Sequence, residues 1–270
     1  MSLLEYLKHE DYQIAESVLS QINLCDLILP SEEYMRFIGS SNKKHYLENM
    51  ATIFYDLCKR CKFDKDIHVL DIGCGCGRLT IPIKELIKNG SGKYYGIDIW
   101  EQGINFCNKN YINNQCSFKH IVCDDPYYCA NEMTNKKNTF DLSHIPKNSI
   151  DRVFAISVFS HLNKKDTNTY FAEMNKITNQ KVIMYLSFFL IDEYYDEYLK
   201  DNEGYYLNEI ESGVWKSHYT GQYTFFGFSY NVMNKLLEDN GFKVVEYLPG
   251  KWCNKPYATQ WQDVFIVNKV

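Results

Sequence analysis

Two periodicities of apolar residues alternate along this chain. Short runs rich in β-branched and aromatic residues occupy 67–72, 93–99, 118–123, 151–157, 181–188, 242–248 and 262–268. Between most of them, segments 79–88, 103–110, 167–177 and 230–240 carry apolar residues at three- and four-residue spacing. The first kind predicts strands and the second helices. Their alternation predicts an α/β fold, a mostly parallel sheet covered on both faces by helices. The last two runs have no helix-length connection between them, so the final strand is expected to run antiparallel.

Residues 1–62 read as a helical extension ahead of this alternation. Leu3, Leu4 and Leu7, then Ile14, Val18 and Leu19, share helical spacing; the pattern breaks around Pro30 and Gly39. A second helix over 43–61 places Tyr46, Met50, Ile53, Phe54 and Leu57 on one face. The α/β domain is then expected over 63–270. Within it, 190–228 interrupts the rhythm with eleven aromatics between Tyr194 and Phe228. A segment that long inside a compact domain reads as a substrate lid, a binding surface or a small subdomain. Most of its rings are expected to pack on one another, with two or three left for substrate.

Charge and cysteines narrow the function classes. The 270 residues carry a net charge of −5 and no basic run, which disfavours a nucleic-acid partner and favours a small-molecule acceptor. The first residues lack the basic and apolar segments of a secretion signal, and the apolar stretch 182–191 is interrupted by Ser187 and too short for a bilayer. No membrane partner is expected, and the location by default is cytoplasmic. The ten cysteines are scattered and suit reduced apolar residues. Cys58 and Cys61 form a CxxC on a helix without a second ligand pair, so no metal site is expected. The oligomeric state is not legible.

The strongest local signal is VLDIGCGCGRLT at 69–80. A strand ends at Asp71–Ile72, glycines follow at 73, 75 and 77, and a helix begins. Glycines let the backbone turn sharply and approach a ligand closely, and a helix N-terminus offers N–H groups. A dinucleotide binder would carry GxGxxG with pyrophosphate on that helix; here the spacing is GxGxG, with Arg78 where the last glycine would stand. Asp71 would repel pyrophosphate and suits a cationic aminoacyl group, which favours S-adenosylmethionine over NAD. Asp98 closes the second strand, placed to accept from both ribose hydroxyls. Asp124 and Asp125 follow the third, placed to accept from an adenine amino group. A lone strand-end Asp is usually a turn former. Three successive strand tips argue for a site.

With DIGCGCG, GIDI, VCDD, DRVFAISVFSHL, GFKVVEYLPG and QDVFIVN, the chain over 43–270 resembles the class I S-adenosylmethionine-dependent methyltransferases. The resemblance implies a Rossmann-like seven-stranded sheet with an antiparallel last strand and the cofactor across the strand tips. It implies that Asp71 and the turn Gly73, Cys74, Gly75 and Gly77 hold the methionine end, with Arg78 beside them a further cofactor-binding candidate. Asp98 would hold the ribose and Asp124 the adenine, with Asp125 sharing or replacing that role and Ile99 and Ser157 as further cofactor-binding candidates. The GCGCGR turn, SVFSHL and MRFIG segments look most like bacterial enzymes tailoring sugars and surface polysaccharides. Tyr34 and Arg36 would either close over the methionine carboxylate or simply anchor the chain.

For a hydroxyl acceptor, a base must remove a proton. His161, in SVFSHL after the fourth strand, is the candidate, against the alternative of a histidine packing at a strand-to-helix junction. His218 and Tyr219 in the insertion are weaker candidates for touching substrate. DDPYY at 124–128 follows the third strand, the wrong place for a nucleobase amino-methyltransferase motif. The main expectation is therefore O-methylation of a small metabolite such as a sugar or glycan precursor, yielding S-adenosylhomocysteine. Its rivals are an amine, phosphoryl-type or protein acceptor, a non-catalytic cofactor-binding partner, and a NAD-linked oxidoreductase.

Overall fold

The structure, a computed structural model, describes residues 13–122, 140–199, 206–217 and 224–270. Leu3, Leu4 and Leu7 lie outside them. The chain forms two compact units, Met1–Ile121 and Val122–Val270. Numbered along the chain, the strands of the main sheet follow the order β3 (Cys116–His120), β2 (Lys93–Asp98), β1 (His68–Ile72), β4 (Ile150–Ala155), β5 (Thr178–Phe188), β10 (Asp263–Lys269) and β9 (Phe242–Leu248), with β10 antiparallel to β5 and β9. This is the mostly parallel seven-stranded arrangement that the sequence predicts.

The first unit opens with helices α1 (Gln13–Gln21), α2 (Glu32–Phe37) and α3 (Lys43–Cys61). Ser31 and Asn42 cap the second and third, accepting from Tyr34 N–H at 3.3 Å and His45 N–H at 3.0 Å. The apolar face of α3 buries Tyr46, Met50, Phe54 and Leu57, as its spacing predicts. Then β1 (His68–Ile72), α4 (Thr80–Ile87), β2 (Lys93–Asp98), α5 (Glu101–Asn110) and β3 (Cys116–His120) follow. All three strands are parallel, with Asp71 opposite Gly96 and Gly96 opposite Phe118. Strand β3 starts two residues before the apolar run because Cys116 already pairs with Tyr94 and is fully buried. It ends at His120, with Ile121 N–H bonded to the Asp98 carbonyl at 2.8 Å.

The second unit holds β4 (Ile150–Ala155), a 3₁₀ turn (Phe159–His161), α6 (Lys164–Ile177) and β5 (Thr178–Phe188). Asn163 starts α6 three residues before the apolar pattern, its side chain accepting from Asp166 N–H at 2.9 Å. Strand β5 begins directly after that helix. A register shift between Ile150 and Arg152 absorbs the extra residues. After the insertion come α8 (Tyr230–Asp239), β9 (Phe242–Leu248) and β10 (Asp263–Lys269).

The insertion itself contains α7 (Glu193–Leu199) and a three-stranded antiparallel sheet of β6 (Leu207–Glu211), β7 (Val214–Ser217) and β8 (Phe226–Phe228). Its two ends are pinched together: Ile191 N–H donates to the Phe228 carbonyl and Phe228 N–H to the Phe189 carbonyl, both at 2.9 Å. Phe189, Ile191, Tyr195, Leu207, Trp252 and Cys253 form a core of their own, flanked by Tyr198, Trp215 and Phe225. Tyr194 and Tyr206 are exposed. Packing therefore claims most of the described rings, as expected. Among the described residues no helix is long and apolar enough to cross a membrane.

Candidate functional site

In the first unit, the glycine turn and two carboxylates converge. Gly73 N–H and Cys74 N–H both bond the Ile97 carbonyl, at 2.8 and 3.1 Å, so the end of β2 anchors the turn leaving β1. Gly75 and Gly77 have φ of +57° and +82°, the left-handed region that side chains disfavour. A Cβ on Gly75 would sit 2.9 Å from Ile38 Cγ2, and one on Gly77 would sit 2.7 Å from the Tyr111 ring. Both the backbone and the space therefore favour glycine.

Asp98 closes over this turn. Its Oδ2 accepts Gly75 N–H at 2.6 Å and its Oδ1 accepts Trp100 N–H at 2.8 Å. Burial pushes its carboxyl up, against the pull of those backbone donors. Ile99, next along, offers its carbonyl to His120 Nε2 at 3.0 Å.

Asp71 lies deeper, 4% exposed. Its Oδ2 accepts the hydroxyl of Tyr94, fully buried, at 2.6 Å. The register explains the reach: Asp71 faces Gly96, which has no side chain, so the Tyr94 ring approaches diagonally from two residues back. Burial raises the Asp71 carboxyl to about 7; Tyr94 and Arg78 draw it down, while Asp98 adds to the rise. A dehydrated carboxylate beside a glycine turn is poorly served by its own fold and is better served by a cationic ligand.

The segment before α3 packs on the same turn. Phe37 stacks on Trp100 with ring centroids 4.3 Å apart, and Tyr34 meets Trp100 edge-on at 4.8 Å. Arg78 donates to Ser40 Oγ at 3.4 Å, and burial lowers its guanidinium pKa. Arg36 instead lies on the surface in a pair with Glu32 at 3.4 Å. Cys74 and Cys107 are buried, each thiol directed at the Gly75 carbonyl. A cleft of about 340 Å³ lined by Ile14, Val18, Lys65 and Glu85 sits at the far end of α4 from the glycine turn.

In the second unit, Ser157 follows the fourth strand with φ +59°. A left-handed non-glycine residue costs about 1–2 kcal/mol. Two contacts hold it there: its N–H donates to Ser187 Oγ at 2.7 Å and its hydroxyl to Gln262 Oε1 at 2.9 Å. His161 ends the 3₁₀ turn, half-buried, with its ring 5.0 Å from that of Phe225. Its Nδ1 lies 3.2 Å from the Thr224 carbonyl. A carbonyl can only accept, so Nδ1 is the donor in this contact.

The structure thus gathers Asp71, Gly73, Cys74, Gly75, Gly77, Arg78 and Asp98 around one turn, with Tyr34 close by through Trp100. Asp124, Asp125, His218 and Tyr219 lie outside the described residues. Sequence reasoning missed Tyr94, Trp100, Ser40, Ser187 and Gln262. Only the placement of Tyr94 before a strand glycine carried a signal.

Residues 63–227 match the model of a methyltransferase domain. A Pyrococcus horikoshii protein of solved structure is similar at 17% identity, over 89% of this chain and 99% of that chain, with TM-score 0.56. A putative S-adenosylmethionine dependent methyltransferase from Listeria monocytogenes aligns at 15% identity, 80% and 97% coverage, TM-score 0.52. The magnesium protoporphyrin IX methyltransferase from Synechocystis, solved with bound SAH, aligns at 16% identity, 98% and 96% coverage, TM-score 0.51. These likenesses support the fold. Among curated proteins, a probable cobalt-precorrin-6B C(15)-methyltransferase of Saccharolobus solfataricus is 43% identical over 51 residues, 19% of this chain and 25% of that protein. The matched segment is thus about a quarter of that relative's length. By the extent of the domain match and the strand order that accompanies it, the chain belongs to the methyltransferase-domain family.

Proposed function

We propose that this chain is an S-adenosylmethionine-dependent O-methyltransferase acting on a small metabolite such as a sugar or glycan precursor for surface polysaccharide. The observation that carries the cofactor is the buried Asp71 and half-buried Asp98 carboxylates together at a turn that favours glycine. The cofactor, when bound, supplies an electrophilic methyl carbon. Asp71 would face its ammonium group, Gly73 to Gly77 would admit it closely, and Asp98 would accept from the ribose. A net charge of −5 without a basic run suits a small acceptor better than a nucleic acid.

Binding should depend on pH with a sign set by Asp71. A cation favours the ionised carboxylate, so affinity for S-adenosylmethionine should rise about tenfold per pH unit below 7 and level off above it. Asp71→Asn should flatten this profile. Tyr94→Phe removes a donor that lowers the carboxyl's value and should move the midpoint upward. Calorimetric titration across that range measures all three; a flat profile in the parent removes Asp71 from the cofactor site. Folding stability should run the other way. The folded state holds the Asp71 proton more tightly than the unfolded chain does. This group's contribution is thus fully present below 3.8 and is lost as pH climbs toward 7.

The oxygen acceptor rests on His161. Its Nδ1–H donates to the Thr224 carbonyl, which orients the ring; whenever the imidazole is neutral, that tautomer puts the basic lone pair on Nε2, as a general base needs. His161→Ala should leave S-adenosylmethionine affinity within about twofold and cut turnover by roughly 10²–10⁴. Undiminished turnover would withdraw the role.

A further inference from the structure

Gln262 precedes β10, where Asp263 pairs with Phe188. It is 6% exposed, and its Oε1 accepts two hydroxyls: Ser157 at 2.9 Å and Ser187 at 2.7 Å. The orientation of the amide follows from Ser187. That hydroxyl already accepts Ser157 N–H and is 2% exposed, so its own proton needs an acceptor, and Gln262 Oε1 supplies it. A flipped amide would strand the Ser187 proton. Gln262 therefore turns its oxygen inward and its NH₂ away from the two serines. That nitrogen donates to nothing among the described residues, nor is it sealed from solvent as an orphan.

Two further facts single the place out. Ser157 is held in a left-handed conformation by this same cluster, and such strain collects at ligand sites. The cluster also joins the end of β5 and the start of β10 to the segment after β4, which leads into His161. A fixed donor left without a partner has a definite complement: an oxygen that accepts a hydrogen bond.

We propose that Gln262 reads the methyl acceptor, its Nε2–H₂ donating to a hydroxyl or carbonyl oxygen of an uncharged polar ring. This rests on the methyl-transfer reading above and adds the residue that selects the acceptor. Ser157 and Ser187 act as positioning residues that hold the amide in its donating sense.

The test uses ¹⁵N-labelled protein saturated with S-adenosylhomocysteine, with the Gln262 side-chain amide assigned by its absence in Gln262→Glu. Methyl α-glucoside should shift that amide pair, and methylammonium, which carries no acceptor atom, should not. In Gln262→Glu, which keeps the inward oxygen for both serines, glucoside affinity read on other perturbed amides should fall about tenfold. Should the glutamate variant fold poorly, the contrast between the two probes at the parent's Gln262 amide, assigned by its absence in Gln262→Met, carries the test. An unmoved amide pair, or equal shifts with both probes, overturns the inference while S-adenosylhomocysteine binding leaves the cofactor reading standing. Absence of S-adenosylhomocysteine binding in calorimetry sinks both.

Discussion

Asp98→Ala is expected to abolish cofactor binding at ordinary concentrations, raising the Kd for S-adenosylmethionine by about 10²–10⁴. Each charge-assisted bond to a ribose hydroxyl contributes about 1.5–3 kcal/mol, and two are lost together. Asp98 does more than wait for ligand. Its oxygens already accept Gly75 N–H and Trp100 N–H, and each keeps a further lone pair for a hydroxyl. The same carboxylate thus shapes the turn and would bind the ribose. Asp98→Asn separates these duties only in part. An amide offers one acceptor atom, so either Gly75 or Trp100 loses its partner while ligand affinity falls less than in the alanine variant. Calorimetry with S-adenosylmethionine, paired with thermal denaturation of the free protein, reads both effects. Parent-like affinity in Asp98→Ala would remove the ribose role. A lowered Tm with parent-like affinity would leave Asp98 as a brace for the turn and nothing more.

What could be read from the sequence follows from how local each feature is. Strand and helix alternation is written in periods of two and 3.6, so all seven main strands were legible, and the glycines of DIGCGCG announced their own turn. The strand-tip position of Asp98 follows from the same pattern. What register decides was not legible. Tyr94 meets Asp71 across 23 residues of chain, and Gln262 meets Ser187 and Ser157 across 75 and 105. Nothing about a glutamine near the C-terminus indicates that two distant serines will orient it.

The small sheet in the insertion was missed for another reason. Its strands have three to five residues, too short to establish alternation. One cue was present: Gly213, φ +75°, in a tight turn between β6 and β7, its N–H bonded to Glu209. His161 shows the opposite limit. Its position was readable, but the tautomer that suits it to accept a proton depends on a carbonyl 63 residues away.

The largest effect on stability should come from Lys255, whose side chain is 1% exposed. It bonds Asp192 at 2.8 Å, Asp263 at 2.9 Å and the Leu190 carbonyl at 2.8 Å. Asp263, fully buried, also accepts from Tyr247, Gly250, Trp252 and Leu190 N–H. Burial alone would pull the lysine pKa down, but its two carboxylates together raise it. Lys255→Met fills similar space and leaves Asp263 charged in the interior without a counter-ion. Removing one partner of such a pair costs about 3–5 kcal/mol, a Tm fall on the order of 10 °C for a chain this long. Adding Asp263→Asn should recover part of that loss, since the orphaned charge goes with it. Because the lysine's pKa is raised, the lysine's own contribution is fully present below its ordinary value of 10.5 and is lost as pH rises beyond it. Both Leu190 backbone groups end on this pair, at the start of the pinched insertion, so the variant should also expose β6–β8 amides to faster hydrogen exchange. A Tm within about 2 °C of the parent, with unchanged exchange, would mean that the surrounding neutral donors carry Asp263 without the lysine.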